Sequence, residues 1–434
     1  MSGWSSLARA RTGVELARPR SRSRRPGGAP PSASAGRTLA RGGQERSRVA
    51  REVDHLLRAG FPNYVKGARF AGPFTDLLGS GIFLADGRLW SLQRKLASYS
   101  FSSRSLRRFS GRVLRAHLHR RLLPLLATAA DAGVAVDLQD VLKRFAFDNI
   151  CGVTFGVKAS TLLELGEEDG GGRGRRRRHD AFFKAFDAAR ARGGGRRGVG
   201  SERQLYEAIR VVDEDVAAIM EERPRGHGDD EQHLLSRFAA AMVEDKGSEL
   251  DAMFRSPEAK RRFLRDIVVS FVLARKDTMS SARTWFFWLL AANSRCERRV
   301  YEEAASLSLH GHGDDHGVDD VDGGGYNELR GMHYLHAPIT EAMRLYPPVP
   351  INSRAAAVGD VLPDGTTVHG GWFSDYCAYA MGRMPQLWDD DCREFRPERW
   401  LDGGGEFVAV DAARYPVFHA ARGRASGRRW RMCR

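Results

Sequence analysis

The sequence predicts a mainly α fold with a small β region. Three observations predict it. An apolar run from Arg265 to Leu290 keeps helical periodicity for its whole length. Other stretches, such as SERQLYEAIRVVDEDVAAIMEE after Gly200, also repeat with helical period. Strand signals are thin by contrast. Only VLPDGTTVHGGW reads as a hairpin, with Asp364-Gly365 as its turn.

Taken in order, residues 1–50 are rich in Arg, Ser, Gly and Pro and have no apolar face, so disorder is expected there. A transit peptide has similar composition. From Arg51 the chain turns periodic, and AREVDHLLRAG predicts a short helix closed by Gly60. Residues 61–160 alternate helix-like runs with Gly- or Pro-bearing turns. GEEDGGGRGRRRRH, after Leu165, has no apolar face and reads as a loop. AFFKAFDAAR predicts a helix start, which ARGGGRRGVG interrupts before the helix beginning near Gly200. HGHGDDHGVDDVDGGG, at 310–325, is acidic and low in complexity. Its His and Asp residues allow weak metal binding, but a surface loop is the simpler reading.

A chain of 434 residues can bury a large core. The net charge of +15 invites a nucleic-acid partner. Its distribution excludes one as the expected role. Residues 1–50 carry +9, residues 165–200 carry +5 and residues 421–434 carry +6, so the rest is net acidic. Charge for nucleic acid is expected on a folded face beside stacking aromatics. Cys151, Cys296, Cys377, Cys392 and Cys433 are widely spaced and form no C-x-x-C, so neither a zinc nor a dithiol motif is indicated. Cys151 lies in an apolar stretch and reads as a core residue. No run of apolar residues is long enough for a transmembrane helix, so no anchor is expected.

Four ordered blocks carry the chemistry. Trp90 and Arg94, four apart, share a helix face, and a guanidinium there suits a carboxylate. Ala274-Arg275-Lys276-Asp277-Thr278 centres the long apolar helix. Glu341 and Arg344, three apart in ITEAMRLYPPVPINSR, can pair directly. Arg399 follows in FRPERW. Each block alone is common, and the ordered set is specific. It resembles a cytochrome P450. NYVKGARFAGPFTDLLGSGIF, RFAFDNICGVTFGV, RFLRDIVVSFVLARKDT and AYAMGRMPQLWDDDCREFRPERWL are similar to the plant fatty-acid omega-hydroxylase group. The likeness covers 61–157 and 201–420 but not 1–50, 165–200 or 421–434.

The resemblance implies a cytochrome P450 fold over 51–420, altered at 165–200 and truncated at both ends. It implies haem b, with Trp90, Arg94 and Ala274 at the cofactor. Asp277 and Thr278 would deliver protons to the oxygen site, and Phe271, Val272 and Ala274 would line an apolar pocket. Glu341, Arg344 and Arg399 would form a buried structural triad. Electrons would come from NADPH through a cytochrome P450 reductase, at the endoplasmic reticulum membrane for the family. The substrate would be a fatty acid or related oxylipin, hydroxylated at its terminal carbon. Arg275 stands where the family has a glycine, and would crowd the haem unless it points away.

One element of the pattern is missing. YPVFHA, at 415–420, resembles the approach to the haem-thiolate loop, yet the position of the ligand cysteine is Ala425. An alanine methyl cannot ligate iron. Cys433 lies too late and lacks the surrounding pattern. Loss of one nucleotide in the codon of Ala420 explains this. Codons allowed by AARGRASGRRWRMCR can then spell G-P-R-x-C-L-G-Q-E-M-A-Y-V-Q, so the Arg-rich 421–434 is expected to be a frameshifted tail. Two readings stay open: a haem-dependent monooxygenase, and a catalytically inactive remnant without its iron ligand.

Overall fold

The computed structural model describes residues 33–34, 44–102, 104–157, 159, 161–162, 180–189, 201–221, 235–236, 238–239, 249–310 and 329–419. Its helices are α1 (Gln44–Asp54), α2 (Ala68–Leu78), α3 (Gly87–Ser102), α4 (Arg104–His117), α5 (Leu123–Asp131) and α6 (Leu138–Phe155). There follow α7 (180–189), α8 (Ser201–Glu221), α9 (Pro257–Ala291), α10 (Ser294–His310) and α11 (His333–Leu345). The long apolar run is thus one 35-residue helix, α9. It starts where Ser256 accepts from the amide of Ala259 and Pro257 needs no donor of its own. Its partner α6 starts on Asp137, whose carboxylate caps Gln139 and Asp140. It ends at Gly156, where a φ of 71° is strained for any side chain.

The main core lies where α9 meets α6, with α2, α7 and α8 around them. Leu78, Phe147, Phe155, Phe182, Phe186 and Val268 are among its fully enclosed members. Cys151 sits among them, and burial pushes its thiol well above the usual range, consistent with a core role. A second core packs Val53 and Leu57 from the N-terminal helix against Ala337, Trp388 and Trp400.

The β region comprises two sheets. The predicted hairpin forms, pairing β4 (Asp360–Val361) antiparallel with β5 (Thr367–Val368). Gly365 takes a φ of 86°, and Asp364 caps the amide of Thr366. The other sheet has the order β1-β6-β3-β2, from Ala33–Ser34, Phe373–Tyr376, Asn352–Ala356 and Tyr64–Val65. No local pattern announces it, because its strands run two to five residues and come from distant parts of the chain.

Two expectations need correction at the N-terminus. Helix α1 begins at Gln44, not Arg51, because its apolar face reaches Val49 and Val53 in the second core. Ala33–Ser34 adds a parallel edge to β6, so disorder does not extend over all of 1–50. The predicted helix end holds: Gly60 donates to the carbonyl of His55. The arginine-rich run after Leu165, the 190–200 breaker, most of the acidic 310–325 run and the 421–434 tail lie outside the described residues.

Lys66 follows β2 and is buried. Its amine donates to the carbonyls of Ile82 and Ala85, with Asp86 at 3.9 Å. Burial lowers its pKa to about 8, from 10.5. The unfolded chain therefore binds the proton more tightly, and stability rises as pH goes from about 8 to 10.5. Urea unfolding of the parent should gain on the order of 1–3 kcal/mol across that window relative to Lys66→Met. Parallel pH profiles for the two proteins would refute this.

Candidate active site

Trp90 and Arg94 sit one turn apart on α3, as their spacing predicts. The Trp90 ring packs against Phe61 at 5.1 Å, and the Arg94 guanidinium lies 5.2 Å from the Trp90 ring centre. That stacking is the only interaction of the Arg94 head among the described residues, and burial lowers its pKa. Beside Trp90 opens a cleft of about 310 Å³, lined also by Phe61, Tyr64, Lys66, Asp86 and Arg354. Arg354 stands on β3, and its Nε is buried with no hydrogen-bond partner. Burying a guanidinium without a counter-anion is costly. Arg354 lines the cleft while Arg94 stacks on Trp90 outside its lining, so two half-buried guanidinium groups stand near that ring.

On α9, the Thr278 hydroxyl donates to the carbonyl of Ala274 at 2.5 Å. The hydroxyl is thus held on the helix backbone, and α9 runs unbroken through the motif. Asp277 lies beside it, with Oδ1 at 3.6 Å from the amine of Lys276. Lys276 is fully buried, pairs with Asp187 of α7, and sits 4.2 Å from the Phe183 ring centre. Arg275 is half-buried. Ala274 and Phe271 are half-buried as well, and Phe271 packs edge-on against Phe238 at 5.6 Å. Val272 departs from expectation. It is wholly enclosed in the main core, because its helical face points at α6 and α7, so it lines no pocket.

Glu341, Arg344 and Arg399 come together. Arg344 grips Glu341 with two bonds of 2.7 Å, and Arg399 Nε donates to Oε1 at 3.0 Å. Glu341 also accepts from Trp400 Nε1 at 2.8 Å and from the amide of Arg396 at 2.9 Å. Arg344 spends its remaining donors on the carbonyls of Gly382, Cys392 and Glu394. Arg399 reaches Asp391 at 3.1 Å. Downstream, Tyr415 donates to the carbonyl of Thr340 at 3.1 Å and is half-buried. His419 then takes a φ of 57° and bonds Tyr376 at 2.5 Å. The described chain ends at that residue, so positions 425 and 433 lie beyond it.

The family model "Cytochrome P450" matches residues 200–416. The chain is 40% identical over 384 residues to cytochrome P450 CYP94D108 of Paris polyphylla, covering 85% of this chain and 71% of that protein. The chain belongs to the cytochrome P450 family. Its likeness to cytochrome P450 94A2 of Vicia sativa is 37%, covering 85% of this chain and 69% of the relative. For cytochrome P450 94B1 of Arabidopsis thaliana the figures are 39%, 85% and 69%.

A P450 is a haem-dependent monooxygenase supplied with electrons by a redox partner, and haem carries two propionates. Arg94 and Arg354, near Trp90 and without an ion-pair partner among the described residues, would suit that side of the group. The ligand side would not fit, because the position at which the resemblance expects the cysteine is Ala425, which offers no donor. Among the described residues no cluster of His, Cys, Asp or Glu offers a metal site in its place. Sequence reasoning missed two residues in this P450. Arg354 was visible only as a lone cation in the short segment NSRAA, and Lys276 only as a lysine inside an apolar helix.

Proposed function

We propose that this P450 is by lineage a terminal (omega) hydroxylase of fatty acids or related oxylipins. We further propose that the chain carrying Ala425 is its catalytically inactive form. The observation that carries the haem reading is the pair of half-buried arginines near Trp90, Arg94 and Arg354, neither with a carboxylate partner among the described residues. The substrate class rests on the resemblance over 61–157 and 201–420. The inactive form rests on the alanine at the ligand position. NADPH, through a reductase, is the proposed electron source. Association with the endoplasmic reticulum is the proposed location, although no described helix is long and apolar enough to cross a membrane.

Haem held by a cysteine thiolate supplies the activation of dioxygen. The protein's own part is placement and proton control. Arg94 and Arg354 would hold the two propionates, and Trp90 stacks on the Arg94 guanidinium. Thr278 keeps its hydroxyl proton on the Ala274 carbonyl until a better acceptor comes within reach. Asp277, held by Lys276, is the proton reservoir one residue away. Phe271 and its neighbours keep water from an apolar chain.

The test uses two proteins: the chain as it stands, and one whose tail after His419 is read in the shifted frame to that frame's own stop. Both are reduced under carbon monoxide, then supplied with NADPH, a plant reductase and a saturated fatty acid. The thiolate-type spectrum and the terminal alcohol should appear only in the second. A thiolate spectrum from the first protein would refute its inactivity. Failure of the second to take up haem would refute the lineage reading.

A further inference from the structure

Helix α7 lies against both α6 and α9 and is held at two points. Near its start, Asp180 pairs with Arg144 of α6 at 3.1 Å. Near its end, Asp187 pairs with Lys276 of α9. The second contact is the unusual one. The side chain of Lys276 is 0% exposed, while that of Asp187 keeps 30%. Two rings, of Phe183 at 4.2 Å and Phe186 at 5.7 Å, enclose the ammonium. Its other neighbour is the Asp277 carboxylate at 3.6 Å. One buried cation thus serves two carboxylates on two helices. Losing either leaves it to the other, because a buried ammonium must keep an anion.

We infer that Lys276 is a positioning residue that couples α7 to Asp277, so that any displacement of α7 moves the charge beside the oxygen-site motif. The coupling has a physical direction. When α7 shifts outward, Asp187 leaves with it toward water, where it is readily solvated. Lys276 is held by α9 and cannot follow, so its ammonium closes on Asp277. When α7 is seated, Asp187 draws the ammonium away and Asp277 is freer to accept a proton from a neighbour. Helix α7 precedes 190–200, the stretch interrupted by glycines and arginines. The significance of the proton reservoir at Asp277 rests on the monooxygenase reading; the coupling itself does not.

Amide hydrogen exchange on the purified chain tests this without haem or turnover. Peptides from 180–189 and from 274–280 are followed in the parent, Asp187→Asn, Asp187→Glu and Lys276→Met. Asp187→Asn should speed exchange at least about fivefold in both segments, not in α7 alone. Asp187→Glu, which keeps the carboxylate, should hold the parent rates. Lys276→Met should loosen α7 as Asp187→Asn does; it is the second variant should Asp187→Asn fold poorly. Unchanged exchange at 274–280 in Asp187→Asn would overturn the coupling. So would equal rates in Asp187→Asn and Asp187→Glu. Failure of haem uptake by the frame-corrected protein, with these exchange patterns intact, would sink the monooxygenase reading alone.

Discussion

Replacing Arg344 with Leu is expected to cost about 3–5 kcal/mol, a large part of the stability of a typical domain. Glu341 would be left with its carboxylate at 0% exposure, held by Arg399, Trp400 and one backbone amide. The carbonyls of Gly382, Cys392 and Glu394 would lose the donor that joins α11 to the segment before Trp400. Glycine 382 adds a steric constraint, since a Cβ there would collide with the Arg344 carbonyl. Lysine is no remedy, because it lacks the fork that engages Glu341 and the carbonyls together. The expected result is a chain recovered mainly as aggregate. Any soluble fraction should melt several degrees below the parent. Arg399→Leu should be milder, since that guanidinium is 11% exposed and shares Asp391 near the surface. Equal melting temperatures for the parent and Arg344→Leu would refute the role given to this cluster.

Replacing Arg94 with Leu is expected to act in opposite directions on the apoprotein and the haem-loaded protein. In the apoprotein, Arg94 is a desolvated cation whose partner is the face of Trp90. Leucine removes that desolvation cost and keeps apolar contact with Trp90, so the apoprotein should resist urea at least as well as the parent. In the frame-corrected, haem-loaded protein the same change deletes a charge-assisted bond to a propionate. Such a bond is worth about 1.5–3 kcal/mol, so haem should bind roughly ten- to a hundredfold more weakly. Haem transfer to apomyoglobin measures the second effect and urea unfolding the first. A loss in both would make Arg94 a structural residue and remove the main support for the cradle.

Much of this site was legible because its parts are local. Trp90 with Arg94 and Glu341 with Arg344 are helix-spaced pairs, and helix geometry alone puts each pair on one face. The capped ends of α6 and α9 and the Asp364-Gly365 turn follow from neighbouring residues in the same way. Arg399 was reached only through resemblance, because nothing near it says that it meets a carboxylate 58 residues away. Val272 was misplaced for a related reason. An apolar residue beside a site motif looks like a pocket wall until the helix face is known, and that face turned out to meet α6 and α7.

By itself, then, the sequence determined the helical class, the family and the two helix-spaced pairs, Trp90 with Arg94 and Glu341 with Arg344. All of these are written in residue identity and short-range spacing. Only the tertiary structure decided that Ala33–Ser34 joins a sheet with Phe373–Tyr376 and that Arg354 lines a cleft with Trp90 while its Nε has no hydrogen-bond partner. It alone placed Lys276 between Asp187 and Asp277. Each of those depends on which distant segments come together and which charges lose their water. Burial is a property of the packed chain, and no window of neighbouring residues contains it.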